Sequence, residues 1–152
     1  ESKGFRYLFI QTECKILDFY VDEEKYEPPF NAYFISNDEQ LNKIYDVAKY
    51  TLELTSREFF IDGIKRDRWV WAGDVLQSEW FDFYSFDDKE IVKRSLRALI
   101  GTREITSNIN SILDYNFYFI ISVYYYYYFT GDKEFVKELA DDTIRFISTA
   151  LK

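Results

Sequence analysis

Leu113-Asp-Tyr-Asn-Phe-Tyr-Phe-Ile-Ile-Ser-Val-Tyr-Tyr-Tyr-Tyr-Tyr-Phe129 is an almost wholly apolar run that stops at Thr130-Gly131-Asp132. A helix apolar on all sides is normally buried on all sides, so this stretch predicts the central helix of a helical domain. The tyrosines from Tyr124 to Tyr128 span more than one helical turn and cannot share a face. Most are expected to pack in the core or between helix pairs, with their hydroxyls reaching the surface.

Working outward, the segments on either side carry helical spacing of their own. Ser36-Asn-Asp38 offers a cap, and Leu41, Ile44, Tyr45, Val47, Ala48, Leu52 and Leu54 recur at helical intervals, predicting a first helix from about Asp38 to Ser56. Val75, Leu76, Trp80, Phe83 and Tyr84 give a second amphipathic face. Asp87-Asp88 caps a third helix through Ile91, Leu96, Leu99 and Ile100, which Gly101 ends. Thr102 to Asn110 reads as a polar loop, and a last helix is expected from Lys133 to Leu151. Five helices in antiparallel succession predict a mainly α fold built as an array of α-hairpins.

The beginning of the chain reads differently. Phe5-Arg-Tyr-Leu-Phe-Ile10 and Lys15-Ile-Leu-Asp-Phe-Tyr20 are rich in β-formers and lack helix caps, so two strands are expected between Lys3 and Phe19. Two or three strands are not stable alone, and a partner sheet is expected elsewhere. The chain opens at Glu1, without a methionine, in what reads as mid-strand, and the expectation is an excised piece of a longer polypeptide. Pro28-Pro29 follows an acidic stretch and interrupts regular structure. The expected organisation is therefore 1–27 as closing strands of one domain, 28–37 as linker and 38–152 as the helical domain.

Composition narrows the chemistry. A formal charge of −8 and few basic clusters disfavour nucleic acid, whose phosphates are bound by grouped Lys and Arg. No run reaches the ~18 apolar residues needed to span a bilayer, and the N-terminus lacks a signal-peptide pattern. The compartment stays open between cytoplasm and periplasm or secretion. With no histidine, acid/base work falls to carboxylates. The lone Cys14 offers neither a disulfide nor a thiolate metal cluster, and it is expected as a small apolar residue in a strand. No metal and no cofactor are expected. Aromatic residues make up 21% of the chain, more than a core filled by Leu and Ile would need, and their flat faces with polar edges suit carbohydrate as well as packing.

The densest chemistry lies in Asp62-Gly-Ile-Lys-Arg-Asp-Arg-Trp-Val-Trp-Ala-Gly-Asp74, which holds three carboxylates, three cations and two indoles. If this loop precedes a helix starting near Ala72, Asp62, Asp67 and Asp74 can converge on one pocket, with Asp74 at the helix N-terminus where the macrodipole favours an anion. Clustered carboxylates raise at least one pKa, while Lys65, Arg66 and Arg68 act in the opposite sense. The bland alternative is a solvated loop of surface ion pairs with one capping aspartate. Trp69 and Trp71 either anchor the loop to the core or stack on a sugar.

The same stretch resembles the signature loop of the bacterial α-L-rhamnosidases of glycoside hydrolase family 78, Asp-x-Pro-Lys/Arg-Arg-Glu-Arg-aromatic/Leu-x-Trp-x-Gly-Asp. It matches that pattern at Asp62, Lys65, Arg66, Arg68, Trp71, Gly73 and Asp74. The resemblance implies part of an (α/α)6 toroid, the six-hairpin glycosidase barrel, preceded by closing strands of a β-sandwich to which Gly4-Phe-Arg-Tyr-Leu is similar. It implies that Asp62 and Asp74 bind rhamnose hydroxyls, that Asp67 stands at the general-acid position, and that Arg66 and Trp71 shape the pocket. Ile64 replaces the usual proline, and Asp67 is one methylene shorter than the usual glutamate. A catalytic group misplaced by ~1 Å can cost on the order of a hundredfold in rate.

The function implied is inverting hydrolysis of terminal α-L-rhamnosides, with a rhamnose-containing oligosaccharide or glycoside as partner. Inversion needs a second carboxylate to activate water, which the family places far downstream. Glu79, Asp82 and Asp114 do not lie in that context, so the chain alone is expected to be inactive. A full toroid has about twelve helices, and an open arc with a bare apolar face predicts self-association. The alternatives are a catalytically silent carbohydrate-binding relative and a helical interaction module without ligand. Thr106-Ser-Asn-Ile-Asn110 and Asp114-Tyr-Asn-Phe-Tyr118 are expected either as a second pocket rim or as turns and caps.

Overall fold

A computed structural model describes residues 3–102 and 104–152. Glu1 and Ser2 of the expected strand domain, and Arg103 of the expected polar loop, lie outside the described residues. The chain is mainly helical: α1 (Glu39–Thr55), α2 (Ala72–Asp82), α3 (Lys89–Ile100), a 3-10 turn (Ile109–Ser111), α4 (Leu113–Thr130), α5 (Lys133–Glu138) and α6 (Ala140–Ala150). Local chemistry sets the ends of several of these helices. The Asp38 carboxylate accepts from the backbone N–H groups of Gln40 and Leu41, and Asp88 does the same for Glu90 and Ile91, so each satisfies donors that the first turn leaves without partners.

Gly131 ends α4 in the left-handed conformation, φ 69° and ψ 8°, with its N–H bonded to the Tyr127 carbonyl at 2.8 Å. A Cβ there would meet nothing within 4 Å, so the need for glycine is purely conformational. Gly131→Ala is therefore expected to cost about 1 kcal/mol, read as a lower thermal midpoint. An unchanged midpoint would contradict it.

α4 packs against α2, α3, α5, α6 and the 3-10 turn, which makes it the central helix of this assembly. It is not buried all round. Asn116, Phe119, Ser122, Val123 and Tyr126 face the core, whereas Leu113, Phe117, Ile121, Tyr124 and Tyr128 form an exposed stripe on the opposite side. The neighbouring helices cover one side of α4 and leave the other bare. The phenols accordingly divide: Tyr126 is buried, and Tyr124 and Tyr128 stack on each other at the surface. α1 repeats the pattern, burying Leu52 while Leu41, Ile44, Val47 and Tyr50 stay exposed.

The two strands expected between Lys3 and Phe19 do not form, and no strand is present among the described residues. The reason is pairing: a strand's N–H and C=O groups need a neighbouring ladder, and none lies alongside this segment. Cys14 is exposed rather than packed in a sheet. Further on, the extended chain is tied to the helices. The Tyr26 hydroxyl donates to Asp88 at 2.8 Å, its ring meets Phe86 edge-on, the Ala32 N–H donates to the Ser85 carbonyl, and Lys49 reaches the Ala32 carbonyl. The single last helix expected from Lys133 to Leu151 is broken at Leu139 into α5 and α6, with Leu139 buried at the joint.

Candidate functional site

The segment between α1 and α2 is pinned at both ends. Phe60 and Ile61 are buried ahead of it and Val70 behind it, and the Phe60 N–H donates to the Ser95 hydroxyl of α3 at 2.9 Å. Between these anchors the loop closes on itself. The Asp62 N–H donates to the Trp69 carbonyl at 3.0 Å, and the Trp69 N–H donates to the Asp62 carboxylate at 2.9 Å. Asp62 is thus a loop-closing residue as well as a cavity residue. Arg68 adopts φ 50°, left-handed for a non-glycine, which is a conformation that collects at functional loops.

The loop folds over the start of α2 to enclose an open cavity of about 540 Å³, within the range of about 300–1,000 Å³ typical of small-molecule sites. Asp62, Arg66, Asp67, Trp71 and Asp74 all line it, together with Tyr115 of α4. The five residues singled out from the sequence are therefore brought together in one cavity. Trp69 is not among its lining residues; its ring is exposed and packs edge-on against Phe59. The Trp71 ring meets Tyr115 edge-on, and its indole N–H is buried without a hydrogen-bond partner in the protein.

The three aspartates occupy different surroundings. Asp67 is the most exposed, with Arg66 3.4 Å from it in a surface ion pair of little energetic weight. Asp74 sits in the first turn of α2. Burial first, then the negative charge of Asp62, pushes its pKa above the ordinary aspartate value, while a backbone hydrogen bond pulls the other way. The raised carboxyl of the cavity is thus Asp74, which the resemblance gives a sugar-binding role.

Tyr115 is the cavity residue that the sequence reading did not single out, although it lies in the segment expected as a second rim. A Cβ on Gly73 would fall 3.3 Å from the Tyr115 hydroxyl, tighter than most such contacts, so the phenol packs closely on the glycine at the start of α2. Burial and the charge of Asp74 raise the Tyr115 pKa, leaving a neutral phenol that can donate or accept. The other rim residues are structural. The Asn110 side chain donates to the Val70 carbonyl at 3.1 Å and accepts from the Ala72 N–H at 3.2 Å, standing in for the cap that α2 lacks locally. Asn116 is fully buried and holds the preceding turn.

Glu79 and Asp82 are buried on α2 outside this cavity, and Asp114 is exposed outside it. None of them is placed to activate a water there. Among the described residues no group of His, Cys, Asp and Glu could hold a metal ion, and no helix is long and apolar enough to cross a membrane. No protein-family model matches the chain, and no curated protein matches it.

Proposed function

We propose that this chain is the sugar-binding and acid-bearing part of an α-L-rhamnosidase-like glycoside hydrolase, and that its helices form an arc of α-hairpins of an (α/α)6 toroid. The observation that carries the reading is the convergence of Asp62, Arg66, Asp67, Trp71 and Asp74 on one cavity with Tyr115. Three carboxylates, two neighbouring cations and a phenol suit a neutral polyol, because each hydroxyl both donates and accepts. In this reading Asp74 and Asp62 bind ring hydroxyls, Trp71 offers an apolar face, Arg66 shapes the wall, and Asp67 donates the proton to the glycosidic oxygen. An inverting partner carboxylate would stand ~6.5–9.5 Å from the acid. No carboxylate is assigned that part within this chain, so turnover is expected of a longer protein containing it.

Titration of the chain with L-rhamnose, followed by NMR, is expected to give saturable shifts. Asp74→Ala is expected to weaken binding tenfold or more, since hydrogen bonds to charged groups contribute about 1.5–3 kcal/mol. Absence of saturable binding would remove the sugar reading. Binding without turnover of an aryl α-L-rhamnoside by the longer protein would leave a catalytically silent carbohydrate-binding relative. Turnover abolished by Asp67→Asn supports the enzyme.

The bare stripes of α1 and α4 support a second reading, a helical interaction module that associates with a second copy of itself through these faces. Sedimentation velocity reads it directly, and a monomer at high micromolar concentration would exclude it.

A further inference from the structure

Gly4 is where the N-terminal segment meets the cavity loop. Every other described residue from Lys3 to Lys25 is exposed, so the contact is made by the one half-buried residue of that stretch. A Cβ at position 4 would sit 2.9 Å from both Cγ1 and Cδ1 of Ile64 and 3.0 Å from the Ile64 carbonyl oxygen. No side chain fits there unless Ile64 moves. We propose that Gly4 is a positioning residue: the N-terminal segment is a clamp that, through Ile64, holds the 62–68 loop in its cavity-lining conformation. The effect on ligand affinity rests on the sugar-binding reading, whereas the clamp itself is a property of the ligand-free chain.

The ties within the loop close its base. Asp62 and Trp69 exchange two hydrogen bonds, and buried Ile61 and Val70 anchor the flanks. Ile64 lies between those ties, two residues after Asp62 and three before Asp67, and both aspartates line the cavity. The ion pair of Asp67 with Arg66 is exposed and carries little weight. Isoleucine, unlike proline, leaves its own φ unfixed, so the place of Ile64 depends on what packs against it. Gly4 packs there. Holding a loop in its binding conformation before the ligand arrives raises affinity, because less order has to be created on binding.

The clamp is fastened at its other end as well. Glu24 pairs with Arg57 at 4.0 Å and Lys25 with Glu53 at 3.4 Å, and the Tyr26 hydroxyl donates to Asp88 at 2.8 Å with its ring against Phe86. The segment that failed to form strands therefore runs from the cavity loop at Gly4 back to the helices at Glu24 to Tyr26.

Gly4→Val tests the clamp, first without ligand. Valine has to displace Ile64, so exchange of the Asp62 and Trp69 amide hydrogens, which are bonded across the loop, is expected to quicken about tenfold. The thermal midpoint is expected to stay unchanged, since Gly4 is no part of the core. Affinity for L-rhamnose is expected to fall about tenfold. Ile64→Ala added to Gly4→Val removes the side-chain atoms that the valine meets, and is expected to recover part of both losses. Equal amide exchange in Gly4→Val and the native chain overturns the proposal, whether or not the sugar binds. So does a native chain that binds L-rhamnose and a Gly4→Val chain that binds it equally well, or a double variant with no recovery. Quickened exchange in a protein whose native form does not bind L-rhamnose supports the clamp and removes the sugar reading instead.

Discussion

Raising the pH from about 4 to about 7 is expected to destabilise this fold, and Asp82→Asn is expected to remove much of that loss. Asp82 is fully buried on the last turn of α2, with one carboxyl oxygen unpartnered and the other accepting from the Asp88 N–H at 3.0 Å. Burial first, then the charges of Asp88 and Asp87, raise its pKa from 3.8 to about 7, with the Asp88 hydrogen bond acting the other way. The folded state therefore holds a proton that the unfolded chain releases near 3.8. The resulting stability is complete below that value and is lost as pH rises through about 7. A shift of roughly 3 units at 1.36 kcal/mol each is about 4 kcal/mol, an order of magnitude comparable with a large part of a small domain's whole stability.

Glu79, one turn earlier, acts in the same direction. Burial pushes its carboxyl well above the usual range, the Asp82 charge adds to that, and the Ser122 hydroxyl beside it lowers it in part without closing a hydrogen bond of good geometry. Asp132 acts in the opposite direction. The Phe135 N–H and then Lys93 hold its pKa down to about 2, so its contribution is present above the ordinary aspartate value and is lost as pH falls toward 2. The two limbs place maximal stability near pH 4. Urea midpoints at pH 4.5, 6 and 7.5 decide the matter: a flat profile in the native chain, or an equally steep one in Asp82→Asn, sinks the assignment.

The parts of the fold legible in the sequence are those governed by neighbours along the chain. Asp38 and Asp88 cap helices by reaching donors two and three residues on, and Gly131 stops α4 through its own backbone, so each could be read from a short window. The strands between Lys3 and Phe19 could not be settled that way, because β-propensity describes a residue's fit to a half-built surface and says nothing about whether a partner strand is present. The break at Leu139 went unread for a related reason. Leu139 is buried at the break, a tertiary placement in a segment whose own periodicity runs straight through. In the cavity, the residues from Asp62 to Asp74 were legible because a single loop carries them. Tyr115 comes from a helix forty residues away, and Asn110 caps α2 across a gap of 38 residues, which no local pattern records.

Asn116→Ala is expected to cost about 2–5 kcal/mol and to loosen the cavity as well. The side chain is fully buried and every polar atom on it is used: it accepts from the Ile109 N–H at 2.9 Å and donates to the Asn108 side chain at 2.9 Å and the Phe146 carbonyl at 3.0 Å. Truncation leaves the Ile109 donor buried without this partner, at about 1–3 kcal/mol, and removes the two bonds donated to Asn108 and to the Phe146 carbonyl of α6, at about 0.5–1.5 kcal/mol each. The consequence does not stop there. Asn116 fixes the turn that carries Asn110, which sits in a left-handed conformation and holds Val70 and Ala72 on either side of Trp71. Removing the support frees the residue that positions the cavity's indole. In the sugar-binding reading, Asn116→Ala thus lowers both the thermal midpoint and the affinity for L-rhamnose, although Asn116 is not among the residues lining the cavity. Asn110→Ala separates the two effects, because it leaves the buried Asn116 bonds in place and releases only the Val70 and Ala72 backbone. It is expected to weaken binding with a smaller loss of stability, and a variant that keeps full affinity would break the link between this turn and the site.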